Sequence, residues 1–196
     1  MNIKSRKNYL SDKIVSVIVV TNNDEDIIES RLKDIKKTLS LLKTNYEILV
    51  IDNNSGDTTV EKIKNSKIVM AYTRILILSK QYNTEIALTA GLDSCIGDNA
   101  ILYNLYTDPP ELIASLVGKL TEGKDIVIAK KSSDVIRYGF LSKIFLSLID
   151  KLSSKGLQHQ QEFSMGLNRK VINSMISTRR KSRHFSYMNY LVGFKK

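Results

Sequence analysis

The sequence predicts a three-layer α/β domain with a mostly parallel central sheet. Short apolar runs rich in β-branched residues alternate with stretches of helical period, and strand-helix-strand order of this kind is the signature of a parallel sheet covered on both faces. The runs are apolar at consecutive positions, as strands buried on both faces require. With 196 residues, 42% hydrophobic and 26% charged, the chain is long enough for one domain with a substantial core, and disorder, collagen and coiled coil are excluded.

The first strand spans Ile14 to Val20 and stops at Thr21-Asn22-Asn23. A helix follows over Asp26 to Leu42, its apolar side marked by Ile27, Ile28, Leu32, Ile35, Leu39 and Leu42, with Asn23 or Asp24 as its cap. Two further pairs come next, Glu47 to Ile51 with Asp57 to Asn65 and Arg74 to Leu78 with Tyr82 to Cys95. Later helices are read at Lys170 to Ser177 and His184 to Leu191. Between Tyr138 and Lys155 an apolar stripe at spacings of three and four is either a face packed on the core or another subunit, or a basic helix lying in a membrane interface.

No apolar run approaches the roughly 18 residues that cross a bilayer, and Asp12-Lys13 with no small-residue cleavage site argues against a signal peptide. The lone Cys95 cannot form an internal disulfide, which fits the cytoplasm, with a peripheral position at the inner face of the membrane as the alternative setting. The net charge of +10 is uneven: residues 1–98 hold 14 basic and 13 acidic side chains, residues 99–196 hold 16 and 7. Such a field attracts phosphates. Arg179-Arg180-Lys181-Ser182-Arg183 is the densest cluster, either a solvated loop or a holder of acceptor phosphate or anionic lipid. It lacks the interleaved aromatics of a nucleic-acid surface, so nucleic acid is not among the expected partners. His159 and His184 have no partner spacing for a metal.

In open α/β sheets ligands sit beyond the carboxyl ends of the strands. That directs attention to the loops Thr21 to Asp26, Asp52 to Asp57 and Leu78 to Asn83. The expected base and ribose pocket is lined by Thr21, Asn23 and Asp24 with Asp52 and Asn53, and Lys80 lies near it. The alternative for the second loop is a turn in which Asp52 and Asn53 bond their own backbone and Asp57 caps the next helix.

Taken in order, several segments resemble the family 2 glycosyltransferases, in particular the branch typified by dolichol-phosphate-mannose synthase. Val15 to Glu25 stands where that family has an apolar strand ending in Pro-x-Tyr-Asn-Glu-Glu, with Val20 and Asn22 in place of the proline and tyrosine; Ile51 to Asp57 stands for Val-Asp-Asp-Gly-Ser-x-Asp. Leu78 to Asp93 is similar to the branch's Leu-Ser-Arg-Asn-Phe-Gly and Ala-Leu-x-Ala-Gly-Leu-Asp stretch, and Asp108-Pro109-Pro110-Glu111-Leu112-Ile113 to its Asp-Pro-Pro-Glu-Leu-Ile. Gly166 to Ile172 and Val192 to Lys195 are similar to its late elements.

The resemblance implies a nucleotide-sugar-binding domain of the glycosyltransferase A type, with residues 1–98 as the nucleotide-binding half and 99–196 as a basic half facing acceptor and membrane. It implies inverting transfer of a sugar from a nucleotide diphosphate sugar to an acceptor such as a polyprenyl phosphate or a cell-surface glycan, in a homo- or hetero-oligomer or alone. Relatives of this branch continue past Gly-Phe-Lys into membrane-associated helices, so the chain, ending at Lys196, is either cut short or a naturally short form.

The family's metal motif is an Asp-x-Asp pair; here Asn104 and Tyr106 stand in that region, and no acid pair remains. Mg²⁺ or Mn²⁺ binding is therefore expected to be weak, with no dedicated metal ligands. Three readings follow: Lys or Arg holds the leaving diphosphate; Asp108 binds metal together with substrate phosphates; or the domain is an inactive binding or regulatory subunit. Asn104 joins the nucleotide-binding set. Asp108 and Glu162 are the catalytic candidates, Glu162-Phe163 being the nearest match to the acid of a Gly-Asp-Phe-type segment.

Overall fold

The computed structural model describes residues 13–130 and 163–177. Within them six strands form one sheet in the order β3-β2-β1-β4-β6-β5. They are β1 (Ile14–Thr21), β2 (Asn45–Asp52), β3 (Thr73–Ile77), β4 (Asn99–Tyr103), β5 (Ile126–Lys130) and β6 (Phe163–Asn168). The helices are α1 (Ile28–Leu41), α2 (Thr59–Asn65), α3 (Lys67–Met70), α4 (Thr84–Ser94), α5 (Glu111–Thr121) and α6 (Arg169–Ser177). β1 to β4 are mutually parallel, whereas β6 runs antiparallel to both β4 and β5.

Consecutive apolar residues in β1 and β2 send alternate side chains to opposite faces, and both faces are covered. Val15, Val17 and Val19 pack with Ile48 and Val50 against α1, α2, α3 and α5; Ile18, Leu49 and Ile51 pack against α4 and α6. Each fully buried aliphatic side chain contributes about 1.5–3 kcal/mol by leaving water, so the three-layer arrangement follows from the sequence pattern. Gly91 lets α4 lie directly on the sheet: a Cβ there would stand 2.5 Å from Cγ2 of Ile18.

One expectation needs correction. Neither Asn23 nor Asp24 caps α1 with its side chain. The helix begins after Ile27 with no side-chain cap, and Asp24 serves it through its backbone carbonyl, which accepts from the N–H groups of Ile27 and Ile28 at 3.0 and 2.9 Å. Strand and helix go on alternating through β4, α5 and β5, and β6 then lies antiparallel between β4 and β5. Pro110 precedes α5, where a missing N–H costs nothing, and β5 and β6 pair as antiparallel neighbours. The helix expected at Lys170 to Ser177 is α6, opened by Asn168, whose side-chain oxygen accepts from Val171 N–H at 3.1 Å. The stripe of Tyr138 to Lys155, the Arg179 to Arg183 cluster, the helix at His184 to Leu191, His159 and Glu162 lie outside the described residues.

At the amino-terminal edge of the parallel strands, Glu47 of β2 is 4% exposed and fully engaged. Its carboxylate accepts from Ser16 Oγ at 2.5 Å, Ile96 N–H at 2.8 Å and the Arg74 guanidinium at 2.8 Å. Nearby, Arg169 of α6 donates to the carbonyls of Gly97 and Cys95, which ties the late helix to the turn before β4. Cys95 is buried there, and burial pushes its thiol pKa up.

Candidate functional site

The strand order reverses between β1 and β4, the crevice where open α/β sheets bind ligands. A cavity of about 210 Å³ lies there. Val20, Thr21 and Asn22 line it from the end of β1, Asn53 from β2, Gln81 and Thr84 from the approach to α4, and Tyr103 to Tyr106 from the end of β4. No lining residue carries a charge. The cavity offers amides and hydroxyls, groups suited to reading a base or sugar by hydrogen bonding. It is smaller than the roughly 300 Å³ at which pockets for whole drug-sized ligands begin, so it suits one portion of a larger molecule.

The first two strand-end loops are polar largely because they bind each other. Asn53 N–H donates to Thr21 O at 2.8 Å and Asn22 Nδ2 to Asn53 O at 2.8 Å. Asn23 N–H donates to Ser55 Oγ at 2.9 Å, Gly56 N–H to Asn23 Oδ1 at 2.8 Å, and Asp24 N–H to Thr59 Oγ1 at 2.8 Å. Glu25 accepts from the backbone and hydroxyl of Thr58, which together hold its carboxyl below the usual range. For Asp57 the largest influence, burial, acts to raise the pKa, but bonds accepted from Thr59 and from Glu25 N–H outweigh it and the net direction is down. Asn23 and Asn54 adopt φ of 55° and 64°, a region asparagine tolerates better than most residues. Asn54 stands where the resembling family has glycine.

The expected site residues thus separate. Thr21, Asn53 and Asn104 line the cavity. Asn53 also clasps the third loop, donating from Nδ2 to Tyr82 O and accepting from Tyr82 N–H at 2.8 and 2.9 Å. Asn23 faces Gly56 and lies off the cavity wall. Lys80 is exposed and its ammonium stands 5.3 Å from the Tyr82 ring centroid. Asp52 is 1% exposed; one carboxylate oxygen accepts from Ser55 N–H at 3.2 Å and the other, Oδ1, has no donor among the described residues.

Asp24 and Asp108 are each 7% exposed and amply supplied with donors. Asp24 accepts from Thr21 Oγ1 at 2.6 Å, from Asn22 N–H at 3.0 Å and from the Tyr106 hydroxyl at 2.6 and 2.8 Å to its two oxygens. Asp108 accepts from Asn104 N–H at 2.8 Å, from Thr107 Oγ1 at 3.3 Å and from the Ser164 hydroxyl, while its backbone carbonyl takes the Tyr103 hydroxyl at 2.6 Å. Burial, then the Asp108 charge, pushes Tyr103 up to about 12. Burial and the bond to Asp24 raise Tyr106 as well. Gln81 and Thr84 were missed as lining residues; Tyr106 was marked only as standing with Asn104 in the acid-pair region, and the register of β1 with β4, which brings Tyr103 opposite Val19, places it beside the first loop.

A doubly covered, mostly parallel sheet with a neutral crevice at its switch point defines an open α/β domain with a ligand-sized cleft beyond its strand ends. The family model described as Glycosyl transferase family 2 matches residues 16–176, and the chain belongs to that family. An uncharacterized glycosyltransferase of Synechocystis sp. is 29% identical over 188 residues, covering 92% of this chain and 58% of that protein. The undecaprenyl-phosphate 4-deoxy-4-formamido-L-arabinose transferase of Klebsiella pneumoniae is 26% identical over 178 residues, covering 89% and 54%. The chain therefore spans little more than half the length of these curated relatives. Among solved structures, glucosyl-3-phosphoglycerate synthase from Mycobacterium tuberculosis, in complex with Mn²⁺, UDP-glucose and phosphoglyceric acid, superposes with a TM-score of 0.54 at 19% identity, covering 87% of this chain and 62% of that one.

A divalent cation does not fit the described residues of this chain. Hard cations need carboxylate oxygens, as few as one or two where substrate phosphates complete the shell, and here both oxygens of Asp24 and both of Asp108 accept from hydroxyl or amide donors. Asn104 accepts Tyr106 N–H at 2.9 Å, and Tyr106 donates its proton to Asp24. No helix among the described residues is long and apolar enough to cross a membrane.

Proposed function

We propose that the chain transfers a sugar, with inversion, from a nucleotide diphosphate sugar to an acceptor that is itself a lipid-linked phosphate. The observation carrying this reading is the uncharged crevice at the β1/β4 switch point, lined by amides that suit a base and ribose and too small for a whole nucleotide sugar. In this reading the nucleoside enters the cavity, Asp52 at the tip of β2 offers it an acceptor oxygen, and the diphosphate and sugar extend outward toward Lys80.

Inverting transfer needs no covalent intermediate: the acceptor oxygen bonds to the anomeric carbon as the bond to the diphosphate breaks, and the diphosphate leaves with the electron pair. Positioning and charge stabilisation supply most of the acceleration. A phosphate acceptor is already an anion and needs no general base, which fits a crevice beside which Asp24 and Asp108 are occupied by donors. The excess of 16 basic over 7 acidic residues in 99–196 supports an anionic acceptor and a peripheral position on an anionic membrane surface. The relatives named for undecaprenyl-phosphate support the same acceptor class and a place in cell-envelope glycan synthesis.

Calorimetric titration with UDP and GDP, followed by mass spectrometry of undecaprenyl phosphate incubated with the matching nucleotide sugars, tests this. Saturable binding of one nucleotide and a glycosylated lipid phosphate are expected. Absence of binding by either nucleotide to folded protein overturns the reading.

A further inference from the structure

We propose that this pocket takes its nucleotide without a divalent cation, and that Tyr106 is the positioning residue responsible. The inference rests on the nucleotide reading above and deepens it. A cation bridging a diphosphate to this edge of the sheet needs at least one carboxylate oxygen to coordinate it. Asp52, 1% exposed, keeps one oxygen without a donor among the described residues but does not line the cavity; the two described carboxylates that flank its β4 end, Asp24 and Asp108, have both oxygens engaged by donors. Tyr106 spans the gap between the loops after β1 and β4, with its hydroxyl 2.6 Å from one oxygen of Asp24 and 2.8 Å from the other. Thr21 Oγ1 and Asn22 N–H both donate to the second of these oxygens. Asp108 faces Asn104 N–H, Thr107 and Ser164.

A metal ion at either acid displaces hydroxyl and amide donors that are buried or part-buried, and a donor stranded away from water costs about 1–3 kcal/mol. A carboxylate offers about four lone-pair sites, and Asp24 already receives three donors, one of them shared between both oxygens. The loop is fixed from the other side as well, since Asn104 Oδ1 accepts Tyr106 N–H at 2.9 Å. The two residues in the family's acid-pair region therefore form a neutral brace that closes Asp24 off. Charge on the diphosphate is left to protein cations.

The test is UDP and GDP affinity, by calorimetry, in EDTA and in Mn²⁺, for the wild-type chain and for Tyr106→Phe, which keeps the ring and removes only the hydroxyl. Wild-type affinity is expected to agree within about twofold between the two buffers. Tyr106→Phe, with Asp24 released, is expected to gain several-fold in Mn²⁺. Wild-type binding that appears only in Mn²⁺, or tightens there by about tenfold, equivalent to about 1.4 kcal/mol, overturns this inference and leaves the nucleotide reading standing. A Tyr106→Phe protein as indifferent to Mn²⁺ as the wild type overturns the role of Tyr106. No binding of either nucleotide in either buffer overturns the nucleotide reading, and this inference falls with it.

Discussion

Strand β2 carries a buried acid at each end, and the two are treated differently. Glu47, at the amino-terminal edge, is met by a hydroxyl, an amide and a guanidinium. Asp52, at the carboxyl edge, receives one amide and keeps an oxygen without a donor among the described residues. Buried polar groups are satisfied as a rule, because an unpaired one costs free energy. The lower acid therefore belongs to the scaffold. The upper acid keeps an acceptor position open at the edge where α/β sheets bind ligands.

Removing Glu47 is the strongest way to test the scaffold side. Glu47→Ala strands the Ile96 N–H and takes the acceptor from Ser16 and Arg74; the expected loss is about 3 kcal/mol, the lower end for a broken buried pair, because Arg74 is 49% exposed and can turn to solvent. The urea midpoint should fall with an unchanged slope. Arg74→Ala should cost less than about 1 kcal/mol, as half-exposed pairs do. Equal losses from the two variants contradict the view that the buried amide and hydroxyl, rather than the ion pair, need Glu47.

Between the two ends, Gly91 tests whether the most family-like stretch of sequence is there for binding or for packing. A methyl at 91 would meet Cγ2 of Ile18, a branch close to its own backbone, at 2.5 Å, with Cγ1 of Ile51 at 3.3 Å. Gly91→Ala is expected to cost about 2 kcal/mol by overpacking, measured by denaturation, with nucleotide affinity unchanged in the folded fraction. A loss of affinity at full stability reverses that assignment.

The same contrast explains what was legible beforehand. The apolar runs of β1 and β2 can be read without a structure because burial on both faces leaves no alternative pattern. β4 to β6 escaped: they are short, the chain between β5 and β6 is long, and antiparallel pairing across it is a tertiary choice with no local marker. Among the site residues, Asn53 and Thr21 were identifiable from their position at strand tips. Asn23 and Asp24 were not separable from them, because a loop that bonds a neighbouring loop and a loop that bonds a ligand use the same residue types. Tyr106 was marked by its place in the acid-pair region, but its reach to Asp24 follows from the β1/β4 register.

Asp52 tests the ligand side. Asp52→Asn keeps an acceptor for Ser55 N–H and replaces a lone buried acceptor with an amide donor. Stability is expected to stay within about 1 kcal/mol of the wild type, while affinity for the nucleotide falls about tenfold. Destabilisation like that of Glu47→Ala, with affinity retained, makes Asp52 a scaffold acid after all and removes the asymmetry.

The smallest effect is expected in acid, and it is confined to the carboxyl edge. Glu25 and Asp57 both lie below their ordinary values of 4.5 and 3.8 in the folded chain. The unfolded chain therefore binds more protons between those values and the lower folded ones. The stabilisation they give is full above the ordinary values and is lost as pH falls through the folded ones. Acidification from about pH 5 should thus release the braid between the first two loops by local opening. In amide hydrogen exchange, Thr58, whose N–H donates to Glu25 at 3.0 Å, should lose protection before Ile96, which donates to Glu47. Glu25→Gln and Asp57→Asn should flatten the acid limb of the urea midpoint with little change at neutral pH. Acid limbs that coincide with the wild type mean that the loops are held by their backbone bonds alone, and that the carboxylates at this edge are placed for something other than holding it.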